Sequence, residues 1–122
     1  MTRAQVALFI DEDPDLRYIF ETLLGFDGFQ VTAVSPGRAL DALDRAQTLN
    51  IVITGTPRPS PVQAVLLEGI SRAARARSVP AIRFGWKSST SPGDAWDLVM
   101  PASVSAHEVI AAAQLLLESA ES

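Results

Sequence analysis

The chain has 122 residues, of which 48% are hydrophobic and 20% charged, with a formal net charge of -4 and no cysteine. The length suits one domain spanning residues 1–122 around one core, and the acidic balance removes the electrostatic ground for holding nucleic acid, which rests on Lys and Arg neutralising phosphates. Without cysteine there are no disulfides, thiolate metal sites or thiol nucleophiles; without a long apolar run there is no signal h-region or membrane span, so a cytoplasmic protein that meets no membrane is expected.

Val6 to Ile10 is a continuous apolar run ended by Asp11-Glu12-Asp13-Pro14, the pattern of a strand buried on both faces of a parallel sheet. Asp13 then caps a helix with Pro14 at its first position, and Leu16, Ile19, Phe20, Leu23 and Leu24 recur at helical spacing before Gly28. Phe29 to Val34 is the second strand; Ser35-Pro36 repeats the cap-then-proline start, and Ala39, Leu40, Ala42, Leu43 and Ala46 mark the second helix. Ile51-Val52-Ile53 is the third strand, followed by a Pro-rich loop from Thr54 to Pro61. A third helical stripe runs through Val62, Val65, Leu66, Ile70 and Ala73, with Arg72, Arg75 and Arg77 suiting its C-terminal end.

Val79 to Phe84 reads as strand four, and a polar loop with no evident helix runs from Gly85 to Asp94. Leu98-Val99-Met100 is a short fifth strand stopped by Pro101. Ser105 and Glu108 form a capping box for a last helix carried by Val109, Ile110, Ala113, Leu116 and Leu117. Strict alternation of strand and helix implies right-handed crossovers and a doubly wound α/β fold, a five-stranded parallel sheet with helices on both faces. Ligands of such sheets bind beyond the carboxyl ends of the strands, which gathers Asp11, Glu12, Gly55, Gly85 and Met100 around one crevice.

The run Phe9-Ile10-Asp11-Glu12-Asp13-Pro14-Asp15-Leu16-Arg17 resembles the acidic pair and first helix of the receiver domain of bacterial two-component response regulators. Ser35 and Gly37 before Ala39-Leu40, Pro59 after the third strand, and Val79-Pro80-Ala81-Ile82 are similar to further parts of that family, over essentially the whole chain. The resemblance implies flavodoxin-like topology, a part in two-component signal transduction and phosphorelay, and a signalling protein as partner. It also implies a magnesium ion held by the acidic pair beside an aspartate that accepts a phosphoryl group from a histidine kinase. Such a transfer needs a cation and a positive side chain to offset the charge that develops.

Here the phosphoacceptor position falls on Gly55, the hydroxyl position at the end of strand four on Gly85, and the lysine position before the proline of strand five on Met100. Asp11 and Glu12 remain, but without a third carboxylate any magnesium site they form is weak and expected to be unoccupied; their default role is strand-end polarity. The aromatic switch position of strand five falls on Asp97, one residue after Trp96, and the stretch from Pro80 to Pro101 is short by about one helix, so the family's fourth helix is shortened or missing. That alters the usual dimerisation face, and a homodimer stays among the expected partners.

Gly55-Thr56-Pro57-Arg58-Pro59 lacks the glycine spacing of a phosphate loop and reads as a stiff connector. The one histidine, His107, has no second metal-ligand type near it and reads as exposed, and no serine matches a nucleophile motif. These features predict an atypical, non-enzymatic receiver that is not phosphorylated and that acts by protein-protein contact, with Trp86, Lys87, Trp96 and Asp97 as the contact candidates and no cofactor. The alternative is a small-molecule-sensing module that uses the space vacated at the strand ends. Arg58, Arg72, Arg75 and Arg77 could form a basic patch, against the plainer reading of solvated charge near a helix end.

Overall fold

The computed structural model describes residues 5–56, 60–85, 96–101 and 103–121. Five strands, β1 (Gln5–Ile10), β2 (Phe29–Val34), β3 (Ile51–Thr56), β4 (Ala81–Gly85) and β5 (Leu98–Pro101), alternate with α1 (Pro14–Phe26), α2 (Pro36–Arg45), α3 (Pro61–Ala76) and α4 (Ala106–Glu121), with no helix described between β4 and β5. All pairings are parallel, in the order β2-β1-β3-β4-β5. This is the flavodoxin-like doubly wound order. The shortened or missing fourth helix expected from the sequence falls largely on residues 86–95, outside the described residues.

Side chains alternate across the central strands. Ala7, Phe9, Ile51, Ile53, Ile82 and Phe84 face Phe20 and Leu24 of α1 and Val109, Ile110 and Ala113 of α4. Leu8, Ile10, Val52 and Ala81 face Ala39 and Leu43 of α2 and Ile70 and Ala74 of α3. The first layer centres on three rings, with Phe20 stacked on Phe9 at 4.3 Å between centroids and tilted against Phe84 at 5.3 Å. Aromatic contacts of this kind add to the stabilisation from burial alone.

The helix starts follow the capping chemistry of the sequence. Asp15 donates its backbone N–H to Asp13 Oδ1 at 2.9 Å, Gln63 donates its own to Ser60 Oγ at 3.2 Å, and Ser105 and Glu108 form the reciprocal box, with Glu108 N–H on Ser105 Oγ at 3.2 Å. Ser35 precedes α2 but makes no side-chain capping bond. At the other end of α2, Arg77 donates its guanidinium to the carbonyls of Leu43 and Ala46, the latter at 2.7 Å. These carbonyls are among those a helix terminus leaves without an intrahelical partner, so Arg77 belongs to the scaffold and not to a basic patch. Arg72 is paired with Glu68 one turn earlier on α3, and Arg58 lies outside the described residues.

Three expectations are corrected. β3 runs through Thr54, Gly55 and Thr56 before the Pro-rich connector, because their backbones pair with Arg83, Phe84 and Gly85 of β4. Val62 and Val65 stand 75% and 71% exposed, since α3 is phased by Leu67, Ile70, Ser71 and Ala74, its buried residues. Ile19 and Leu40 are likewise exposed to 42% and 43% at the margins of their stripes.

Candidate functional site

At the carboxyl end of the sheet, Asp11 follows β1, Gly55 lies near the end of β3, and Gly85 ends β4. With Glu12 they line a cleft of about 430 Å³, walled mainly by Leu16, Phe20, Phe84, Val104 and Ala106. Four of the five residues gathered by the sequence therefore come together. The fifth, Met100, is not among the lining residues and packs with Leu98 against the α1/α4 core layer. An unbranched thioether does this readily, filling core space at no cost in charge.

Asp11 is half-buried. Its Oδ1 accepts the backbone N–H of Asp13 at 2.9 Å, while its Oδ2 lies over the α-carbon of Gly55. A Cβ added to Gly55 would collide with Oδ2 and come within 2.9 Å of Asp11 Cγ, with Phe84 Cζ at 3.5 Å. The carboxylate of Asp11 therefore occupies the room that a side chain on Gly55 would need. Arg17, the nearest cation along the chain, does not neutralise it by direct contact; its guanidinium bonds the backbone carbonyls of Asp11 at 2.8 Å and Glu12 at 3.2 Å.

Glu12 is exposed and receives a 2.6 Å hydrogen bond from Gln63 Nε2 of α3. Arg17 and Gln63 thus position the two acids, and no local sequence pattern announces Gln63, 51 positions from its partner. Gly85 has φ +121°, a backbone conformation that an L side chain rarely adopts. A hydroxyl-bearing residue there would be strained, so the glycine meets a backbone requirement.

Whether the acids suit a magnesium ion is decided by their surroundings. One Asp11 oxygen is held by the Asp13 amide and the other rests on Gly55, while a Glu12 oxygen is held by Gln63. Among the described residues no group of three or more His, Cys, Asp or Glu could hold a metal ion. As arranged, the pair offers two carboxylates with an oxygen of each already hydrogen-bonded, a weak set for magnesium, which demands near-octahedral oxygen coordination.

Burial, opposed by the Asp13 amide bond and reinforced by the neighbouring acids, raises the Asp11 carboxyl above its ordinary value of 3.8. A carboxyl that binds its proton more tightly when folded contributes stability that is fully present below 3.8 and is lost as pH rises through the folded value. Asp11→Asn keeps the acceptor for the Asp13 amide and removes this titration. Urea midpoints measured between about pH 4 and pH 7 should show the variant gaining on the parent as pH rises; a constant difference would contradict the assignment.

Of the residues expected at a partner surface, Trp96 is half-buried and packs against the α2/α3 core layer. Asp97 accepts the backbone N–H of Ala81 at 2.7 Å and returns its own N–H to the Ala81 carbonyl at 2.9 Å. Asp97, itself exposed, thus fastens the start of β5 to β4; Trp86 and Lys87 lie outside the described residues. His107 is exposed.

No protein-family model and no curated sequence matches the chain. Solved structures do match. A CheY-like response regulator receiver domain protein from Methanospirillum hungatei superposes with a TM-score of 0.80 at 18% identity, covering 98% of each chain. A response regulator receiver protein from Sinorhizobium medicae gives 0.71 at 25% identity over 95% of this chain and 96% of its own. The receiver domain of a Pseudomonas aeruginosa sensor histidine kinase, solved with magnesium coordinated in its active-site cleft, gives 0.71 at 16% identity over 95% and 99%. The chain has the receiver fold.

Proposed function

We propose that this chain is an atypical receiver of two-component signalling that works without phosphoryl transfer, by contact with a signalling protein, and that it is not an enzyme. The observation that carries the reading is the Asp11 carboxylate lying where a phosphoacceptor on Gly55 would stand. A nucleophile at that position is lacking, Gly85 offers no hydroxyl, and Met100 is turned to the core without positive charge. Among the described residues the electrostatic conditions for transfer to a carboxylate are therefore unmet. A cytoplasmic setting agrees with this reading, and no helix among the described residues is long and apolar enough to cross a membrane.

The test is incubation with acetyl phosphate and magnesium, followed by intact-mass spectrometry. The chain should gain no phosphoryl group under conditions that load a competent receiver run in parallel. An acyl phosphate on Asp11 or Glu12 would overturn the proposal.

A further inference from the structure

We infer that the cleft between α1, β4 and the start of α4 binds a small organic cation, an ammonium group carried on a short apolar or aromatic body. The inference rests on the reading that this end of the sheet is closed to phosphoryl transfer, and it assigns the cleft beside Asp11 a ligand class. Two independent observations carry it: the shape and lining of the cavity, and the state of the carboxylate at its end.

The cavity holds about 430 Å³, within the range of small-molecule sites, which are mostly apolar with a few placed polar groups. Leu16, Phe20, Phe84, Val104 and Ala106 supply apolar walls, and Phe20 and Phe84 are fixed in the ring cluster that forms the core. An apolar body is therefore received by a wall already in place, with little ordering cost on binding.

At one end Asp11 presents a half-buried carboxylate. Its Oδ1 is used by the Asp13 amide, while Oδ2 accepts no hydrogen bond among the described residues. Arg17 is committed to backbone carbonyls, and Met100, at the position where the receiver resemblance implies lysine, lies in the core layer. A cationic head meeting Oδ2 gains a charge-assisted hydrogen bond in a partly dry site, stronger than its counterpart in water. The same carboxylate, with Glu12 and Asp13 beside it, repels anions, and a neutral ligand would have only the walls.

The full chain is titrated with phenethylamine, phenethyl alcohol and 3-phenylpropionate and followed by amide-proton NMR. The amine should shift Gly55, Phe84, Gly85 and Val104 saturably, the alcohol should bind about tenfold more weakly or worse, and the carboxylate should leave them unmoved. Asp11→Asn should bring the amine down to the level of the alcohol, and Ala106→Leu, which fills the cleft, should abolish both. Equal affinity for amine and alcohol, or no saturable shifts with the amine, overturns the proposal on the unmodified chain without reliance on a variant. So does an amine affinity unchanged in a folded Asp11→Asn chain. An acyl phosphate in the acetyl phosphate experiment would instead overturn the phosphate-free reading, so the two failures are distinguishable.

Discussion

Phe20→Ala should lower stability by about 3–5 kcal/mol, the range for removing a buried phenylalanine ring. Phe20 is 2% exposed, stacked on Phe9 and tilted against Phe84, and joins α1 to two central strands at once. A domain of this kind has about 5–15 kcal/mol in total, so the variant should sit close to unfolding. In a urea titration the midpoint should fall steeply while the slope stays near that of the parent. Phe26, on the same helix but 82% exposed, provides the control: Phe26→Ala should change stability by about 0.5 kcal/mol or less. A loss below about 1 kcal/mol for Phe20→Ala would mean that the neighbouring cleft collapses onto the vacated space, contrary to the rigid wall on which ligand binding depends.

Gly55→Asp should destabilise the chain by about 1–3 kcal/mol, the usual scale for forcing atoms into occupied space, and should not create a phosphate acceptor. The new Cβ meets Asp11 Oδ2 and Cγ directly. To make room, Asp11 must rotate and give up its bond from the Asp13 amide. Two carboxylates would then share one partly buried site, where like charge disfavours ionisation of both. The loss should therefore be greater at neutral pH than in mild acid. Asp11→Ala in the same chain should restore part of it, with a coupling of about 0.5–3 kcal/mol between the two positions. Additive single and double variants would show that Asp11 does not occupy the Gly55 space. Gly85 and Met100 would remain without hydroxyl and charge in either variant.

The parts of this fold that local chemistry dictates are readable from the residues alone. Val6 to Ile10 announces a strand buried on both faces, Asp13-Pro14 a helix start, and Ser105 with Glu108 a capping box, each of which forms as expected. Where a reading failed, packing had changed the meaning of a residue. Ser71 looks polar in a helical wheel, yet it is 1% exposed, its hydroxyl satisfied within the helix by the Glu68 carbonyl at 2.9 Å. That burial turns α3 so that Val62 and Val65 face outward. Trp96, open to reading as a surface anchor or as a residue buried under its loop, is half-buried against the α2/α3 layer, next to Asp97, which ties the start of β5 to Ala81. The candidate site was legible as a set of strand-end residues, because topology alone collects them. The placement of Asp11 over Gly55 was not, for it depends on the register in which β1 and β3 pair, with Ile10 beside Thr54.

The two bonds made near the ends of α3 bear on how force passes through the molecule. Gln63, in the first turn, holds Glu12 beside the cleft, and Arg77, just past the last turn, holds the end of α2. The helix between spans 16 residues, about 24 Å at the usual rise, and is fastened at both extremities like a strut. Pushing on its outward face, where Val62 and Val65 stand free of the core, would load both fastenings together. A tilt at that surface would thus bear on Glu12 at the cleft and on the end of α2 through the same helix.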